Sequence, residues 1–364
     1  MPTLNKIVIQ DWRNIALQEL SFSPNINCIS GNNGTGKTNL LDAIYYLSMT
    51  KSPSAASDRF NFRHGTGCFA IAGHYMMENG QESRFSIQAS EGGEKKIRKD
   101  DKARSISEHV GTLPIVMVSP SDISMVSESG DERRRFVNAV LSQMDREYLT
   151  GMQQYNRLLQ LRNRLLKDPG SDDALMDAYD ERLSALATPL SERRRRFTED
   201  LYPIIKEYYY SLSGGGEQVE VEYRSDLDKG DLLSILRSRR EKDRMSGFTT
   251  AGLQRDDFIF TMEGYPIRRC GSQGQQKSFL VSLKFAQYDI MKKAYGFPPI
   301  LLLDDLFDKL DMNRVSNLLG MVAGSEFGQI FITDSNKVRI SGIVDSITED
   351  RVYYEAADGV FTRQ

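Results

Sequence analysis

The sequence predicts an α/β fold, with mixed sheets and flanking helices, interrupted by an inserted short α-helical antiparallel arm. Three observations predict it. Strand-like runs at the N-terminus lead into a glycine-rich turn and an amphipathic helix. A near-continuous apolar run, "PPILLLDD", stands close to the C-terminus. Between them, from Asp131, apolar residues recur at three- and four-residue spacing through two long stretches.

Each element has its own signal. "KIVIQ" and "NINCIS" are short apolar or alternating runs and read as strands. "NLLDAIYYLSM" follows the glycine-rich turn with helical spacing. "CFAIAGHYMMENGQESRFSIQA" predicts a hairpin around Asn79-Gly80, and "PIVMV" a buried strand ending in "SPSD". "DERRRFVNAVLSQMDREYLTGMQQYNRLLQLRNRLLKD" is helical, "DPGSDD" breaks it, and "ALMDAYDERLSALATPLSERRRRFTEDLYPIIKEYYYSL" returns. Pro189 and Pro203 predict kinks or breaks in the return. Helices of about 20 residues span roughly 30 Å, which makes the arm a stub. "GGGEQ" ends it, "VEVEY" resumes strand alternation, and "DLLSILRSRREKDRM" is a basic helix. "DFIFTMEGYPIRR" predicts a hairpin with Glu263-Gly264 at its tip. The strand "PPILLLDD", the helix "NRVSNLLGMVA", the strand "QIFIT" and a hairpin turning at Asp358-Gly359 complete the chain. The expected division is 1–130 for the N-terminal part of the α/β domain with a β-rich lobe, 131–245 for the arm and 246–364 for the C-terminal part. Trp12 and the run Tyr208-Tyr209-Tyr210 read as packing residues.

Bulk composition narrows the classes. At 364 residues the chain exceeds one ordinary core, and 40% hydrophobic with 27% charged residues is globular. A net charge of −3 excludes a basic coat, so any contact with nucleic acid comes from local patches. Cys28, Cys68 and Cys270 are far apart, and no Cys/His cluster suggests a zinc site or a disulfide framework. No apolar run reaches membrane-spanning length and "MPTLNKIVIQ" lacks a signal-peptide pattern, so a cytoplasmic protein is expected.

"GNNGTGKT" matches the phosphate-binding pattern GxxxxGK[ST] in the required place, after a strand and before a helix. Gly31, Asn32, Asn33, Gly34, Thr35 and Gly36 would turn backbone N–H groups toward phosphates. Lys37 would neutralise the β- and γ-phosphate oxygens, and Thr38 would offer its hydroxyl to Mg²⁺, so a nucleotide and Mg²⁺ are the expected cofactors. "ILLLDD" ends a run buried on both faces in two carboxylates. Asp304 fits the residue that holds Mg²⁺ through water, and Asp305 the one that positions or deprotonates an attacking water. "RRCGSQGQQKSFLVSLKF" places a polar, glycine-flanked turn at the start of a helix, whose positive end suits an anion.

The order of "GNNGTGKT", "GSQGQQKS" and "ILLLDD…LD" resembles an ABC-type ATPase head, the P-loop NTPase module of transporters, SMC proteins and DNA-repair ATPases. The segments "DWRNIALQELSFSPNINCISGNNGTGKTNLLDAI", "LPIVMVSPSDISMVSESGDERRRFVN", "GLQRDDFIF" and "GSQGQQKSFLVSLKFAQ" are more specific. With them the chain is identified as similar to the RecF family of bacterial recombination mediators, from the N-terminus to about residue 335. The resemblance implies a signature motif at Ser272, Gln273, Gly274 and Gln275 acting on a second copy's nucleotide. It also implies a D-loop at Asp308 and Asp311, and a nucleotide contact from Arg13. It further implies ATP as the nucleotide, an ATP-induced homodimer, a weak DNA-dependent ATPase that works as a switch, and binding to single-stranded, double-stranded or gapped DNA. RecO and RecR are the implied partners in loading the recombinase, with support for the SOS response.

Three departures matter. Transporter heads have a histidine after the strand matching "QIFIT", where this chain has Asp334-Ser335. Their glutamine loop is replaced by Ser119-Pro120-Ser121-Asp122. "GLQRDD" stands for the family's more usual Gly-Pro-His-Arg-Asp-Asp, so no role of that histidine passes to Gln254. A transport motor would predict the missing motifs, and a tethering SMC-like protein would predict a far longer arm. Basic runs at Lys95 to Lys99, Arg133 to Arg135, Arg193 to Arg196 and Arg237 to Arg244 are the candidate DNA contacts, with Lys95, Lys96, Arg98, Arg193, Arg194, Arg239 and Arg240 foremost. Arg133 to Arg135 compete as structural ion-pair residues.

Overall fold

The structure, a computed structural model, describes the chain except residues 56, 129, 169, 171, 306–326, 337–341, 343 and 346–347. The expected helix "NRVSNLLGMVA" lies outside the described residues. The chain forms two units, Met1–Asp122 with Lys284–Gln364, and Ile123–Leu283. The expected boundaries after residues 130 and 245 therefore fall inside the second unit, because the segment 246–283 gathers with the arm.

The first unit contains two six-stranded sheets. One runs β2-β1-β4-β5-β6-β7 and is antiparallel throughout. Its strands are β1 (Thr3–Trp12), β2 (Ile15–Ser21), β4 (Cys68–Met76), β5 (Glu82–Ser90), β6 (Lys95–Lys99) and β7 (Lys102–Ala103). The other runs β15-β14-β3-β13-β12-β8, from β3 (Ile26–Ser30), β8 (Ile115–Val118), β12 (Ile300–Leu303), β13 (Ile330–Asp334), β14 (Arg351–Ala357) and β15 (Val360–Arg363). Five of these strands are parallel, and β15 turns back on β14. Continuous apolar runs suit strands covered on both faces, and every residue of β3, β8 and β12 is buried. Burial also pushes the Cys28 thiol of β3 up to about 12, which leaves it inert.

Helix α1 (Lys37–Met49) is buried nearly all round and touches β1, β4 and β5 of one sheet and β8 and β13 of the other. Trp12 packs on Tyr46 and Phe69, and its ring N–H donates to the Asn39 carbonyl, so the packing reading holds there. The Asn79-Gly80 and Asp358-Gly359 turns close hairpins as expected, pairing Met76 with Glu82 and Ala357 with Val360.

The short helix α2 (Ile106–His109) ends in a buried histidine. His109 Nε2 lies 2.7 Å from the Leu47 carbonyl oxygen, so that nitrogen carries the proton and donates. Burial lowers its pKa, against the opposing effect of that carbonyl. The folded state therefore binds fewer protons than the unfolded one, whose histidine titrates near about 6.5. Stability from neutral His109 is present above that value and is lost as pH falls toward the depressed folded value. Chemical denaturation between about pH 5.5 and 7.5 should show an acid loss steepened by up to about 1.4 kcal/mol per pH unit. His109→Gln should flatten that limb; an unchanged slope contradicts the assignment.

The second unit begins with α3 (Ser124–Ser127) and α4 (Gly130–Met144) and is dominated by α5 (Arg146–Leu165) and α6 (Asp173–Ser213). The expected break in the return does not occur: α6 runs 41 residues through both Pro189 and Pro203. At 1.5 Å per residue it is ~60 Å long, about twice the expected stub. Each proline removes one backbone donor, but its fixed φ is helical. A buried stripe through Leu183, Ala187, Leu190, Phe197 and Leu201 holds the helix on either side. Tyr209 is buried, as read, whereas Tyr210 is 65% exposed. A three-stranded sheet, β11-β10-β9, follows from β9 (Val219–Arg224), β10 (Asp257–Met262) and β11 (Tyr265–Pro266), with Glu263-Gly264 at the expected tip. Helices α7 (Leu232–Ser238), α8 (Arg240–Ser246), α9 (Ile267–Cys270) and α10 (Gln273–Tyr295) complete the described elements.

Candidate nucleotide site

In the first unit, β3 ends at the phosphate loop and α1 begins inside it. Gly36 caps α1 with φ of 108°, and a Cβ there would come within 2.7 Å of the Asn14 carboxamide. Glycine is therefore required twice over, by conformation and by space. Lys37 is only 4% exposed, and its ammonium donates to the carbonyls of Gly31 at 2.6 Å and Asn32 at 3.0 Å. Those carbonyls hold the charge where phosphate oxygens would take it over. Thr35 donates to the Asn32 carbonyl, and its own carbonyl accepts from the Gly359 N–H and the Asn14 side chain.

The parallel register brings the acidic strand end to this loop. The Thr38 hydroxyl lies 2.9 and 3.0 Å from the two oxygens of Asp304. Asp304 is 3% exposed, and burial raises its pKa, while hydrogen bonds from Thr333 and Thr38 oppose the shift. Thr333, fully buried on β13, donates to Asp304 at 2.7 Å and accepts the Asp305 N–H at 3.0 Å. Asp305 has φ of 41°, a left-handed conformation uncommon for a residue other than glycine. One threonine therefore fixes both carboxylate-bearing residues. It stands just before Asp334, in the region where transporter heads have their histidine. Asp334 is buried and accepts the Asn336 N–H. In place of a glutamine loop, Asp122 caps the Ser119 N–H and pairs with Lys284 at 3.2 Å.

Among the described residues no three His, Cys, Asp or Glu side chains converge as a metal cage. Thr38 and Asp304 nevertheless offer hard oxygens at one point, which fits Mg²⁺ arriving with nucleotide phosphates and retaining water. Arg13 belongs to the same unit, but its guanidinium is engaged. It donates to Asn39, Asn61, Ser52 and Ser54 and pairs with the buried Asp42. Burial raises the Asp42 pKa, and Arg13 and the two serine hydroxyls oppose that rise. The expected contact between Arg13 and the nucleotide would have to break this cluster. A cavity of 810 Å³ beside it is lined by Arg13, Asn14, Ser54, Phe60, Phe62 and His64, among others. Asn14, which touches the phosphate loop, and Thr333 were not legible as site residues, since nothing local marks either.

In the second unit the turn at Ser272 is a capping box. The Gln275 side-chain oxygen accepts the Ser272 N–H at 2.7 Å, and the Ser272 hydroxyl oxygen accepts the Gln275 N–H at 3.3 Å. A Cβ on Gly271 would come within 2.8 Å of the Ile267 carbonyl oxygen, so the approach to the turn requires glycine. Ser272 and Gln273 are exposed, and Gly274 and Gln275 half-buried. The Gln275 carboxamide is also bonded to Glu217, so it supports the turn from within the subunit. Asp308 and Asp311 lie outside the described residues.

Most candidate DNA cations are committed elsewhere. Arg194 is 1% exposed and binds Asp256, Tyr148, Asn138 and the Leu253 carbonyl. Arg193 pairs with Asp145 and Glu147, Arg239 with Asp226, and Arg240 with Asp177 and Asp180. Arg133 is bidentate on Asp257, which bears out the structural alternative for that residue. In the first unit Lys95 pairs with Asp58, and Lys96 with Glu94 at the surface. Arg98 is exposed and makes no ion pair among the described residues.

The sequence model of the family described as RecF/RecN/SMC N terminal domain matches residues 3–348. A "DNA replication and repair protein RecF" of Parabacteroides distasonis is 40% identical over 356 residues, covering 98% of both chains. The chain belongs to the RecF family. A RecF of Porphyromonas gingivalis is also 40% identical, over 358 residues and 98% of both chains. A solved structure described as the recombination mediator protein RecF with ATP in the RecFOR pathway superposes with a TM-score of 0.90. That structure is 28% identical, and the match covers 100% of this chain and 98% of the other. An Smc head from Pyrococcus furiosus, at 15% identity and a TM-score of 0.59, shares the fold alone. The RecF relatives thus support an SMC-like ATPase head acting in DNA replication and repair.

Proposed function

We propose that the chain is an ATP-switched DNA clamp. Thr38 and Asp304 at hydrogen-bond distance carry the reading, because the phosphate loop and the acidic strand end meet there in oxygens of the kind Mg²⁺ takes. Lys37 leaves its two carbonyls to hold the β- and γ-phosphates. Thr38 and Asp304 would hold Mg²⁺, which would supply charge neutralisation at the phosphates. Asp305 takes the proton of the attacking water. The cavity beside Asn14 would be free to take the base of the nucleotide.

Ser272 closes the site of a second copy, with Gln273 and Gly274 beside it, and a two-fold dimer buries two nucleotides. ATP binds the closed dimer preferentially and shifts the population to it, and hydrolysis releases it. Weak, DNA-dependent turnover suits such a switch. By family likeness the DNA is single-stranded, double-stranded or gapped, RecO and RecR are partners in recombinase loading, and the SOS response depends on it. The described residues contain no helix long and apolar enough to cross a membrane, and a cytoplasmic site of action suits a DNA-repair clamp.

The exposed cations Lys96, Arg98, Lys102 and Arg104 on β6 and its flank are the DNA contacts favoured here, since Arg193, Arg194, Arg239 and Arg240 are held by ion pairs within the second unit and Lys96 meets only an exposed glutamate. Fluorescence anisotropy on gapped DNA should show tighter binding with ATP than with ADP. Lys96→Ala/Arg98→Ala should weaken it uniformly across sequences and reduce the logarithmic salt slope by about 2. Equal binding with ATP and ADP contradicts the switch, and an unchanged salt slope contradicts the assigned contacts.

A further inference from the structure

The signature turn is tied to the end of the arm helix by a chain of three side chains within the second unit. The Gln275 Nε2 donates to one carboxylate oxygen of Glu217 at 2.6 Å. The hydroxyl of Tyr209, in the last part of α6, donates to the other oxygen at 2.5 Å. Tyr209 is 1% exposed, so its hydroxyl is placed by packing and not by solvent. Glu217 itself sits on the glycine-rich connector between α6 and β9.

The chemistry of the turn follows from that carboxylate. An amide side chain can present either its oxygen or its NH₂ to a neighbour. Glu217 accepts only, so it selects the NH₂ and leaves the Gln275 oxygen to accept the Ser272 N–H. The Ser272 hydroxyl oxygen accepts the Gln275 N–H with one lone pair, which leaves its proton free to be donated outward. A phosphate oxygen is an acceptor, so this is the polarity a phosphate requires.

We propose that Glu217 is a positioning residue that links the arm helix to the signature turn and sets the Ser272 hydroxyl as a donor to a nucleotide held by a second copy. The proposal rests on the two-copy site described under Proposed function. Because Glu217 serves the partner's nucleotide, its loss leaves the chain's own phosphate loop intact.

The test is subunit mixing. Glu217→Ala alone should lose about ten- to a hundredfold in turnover, with binding of a fluorescent ATP analogue to the separated chain unchanged. Glu217→Gln, which retains one acceptor oxygen, should lose less, and it serves in place of the alanine variant should that fail to fold. Glu217→Ala mixed with Lys37→Ala should regain turnover, since one composite site then has both good halves. Glu217→Ala mixed with Ser272→Arg should not, since both defects lie in the same half. A purely structural role for Glu217 predicts no such pattern. Wild-type turnover of Glu217→Ala, or no rescue by Lys37→Ala while the pair Ser272→Arg and Lys37→Ala does rescue, overturns the proposal. Failure of that last pair as well overturns the two-copy reading beneath it.

Discussion

Arg194→Met is expected to destabilise the second unit by about 3–5 kcal/mol, the typical result of removing one partner from a buried ion pair. The guanidinium is at the centre of a buried group drawn from four segments. It meets Asp256 at 2.5 Å, the Tyr148 hydroxyl at 3.0 Å, Asn138 at 3.0 Å and the Leu253 carbonyl at 2.9 Å. Methionine fills much of the volume and satisfies none of these acceptors. Asp256 would keep the Tyr223 hydroxyl and lose its counter-charge. Burial already raises the Asp256 pKa, and Arg194 is the principal group opposing that rise. The double variant Arg194→Met/Asp256→Leu should recover part of the loss, because replacing both members of a buried pair can be close to neutral. Urea denaturation of the three proteins measures this directly. If Arg194→Met keeps wild-type stability and loses DNA affinity instead, the arginine is a DNA contact and the structural assignment is wrong.

Asp305→Asn is expected to reduce ATP turnover by about 10²–10⁴-fold while ATP binding persists, the usual range for loss of a general base. The residue is held through its backbone. Its left-handed φ is maintained where the Asp305 N–H meets Thr333. Thr333→Val keeps the shape of that side chain but removes both hydrogen bonds. It should reduce turnover by about tenfold or more, and Thr333→Ser should restore most of it. A merely structural defect would lower the melting temperature of Thr333→Val and leave the turnover of the folded fraction unchanged. Steady-state turnover, nucleotide binding in EDTA and thermal melts on the three variants separate these outcomes. Turnover of Asp305→Asn close to wild type contradicts its role as base.

The phosphate loop, the acidic strand end and the three hairpin tips were legible because each is a local pattern. A glycine at positive φ, an apolar run ending in carboxylates and an Asn-Gly turn are fixed by residues a few positions apart. Thr333, Asn14 and Glu217 were not legible, because their roles come from partners brought together only by the fold. Thr333 meets Asp304 across two strands, and Glu217 meets Gln275 across a separation of 58 residues. The arginine runs were visible as runs. Their carboxylate partners, such as Asp256 for Arg194, were not, so buried ion pairs resembled a DNA groove. Pro189 and Pro203 misled for a related reason: the local cost of proline was readable, and the packing that sustains α6 through both was not.

The central claim is that one nucleotide is completed by two chains. Lys37→Ala removes the phosphate-binding half and Ser272→Arg blocks the signature half, so neither variant alone should turn over ATP. Mixed in equal amounts, the two form dimers in which one of the two composite sites has both intact halves. The account predicts that ATPase activity appears in the mixture, well above the sum of the separate proteins. Activity in the mixture no greater than that sum, with both chains folded and pairing with wild type, would contradict it.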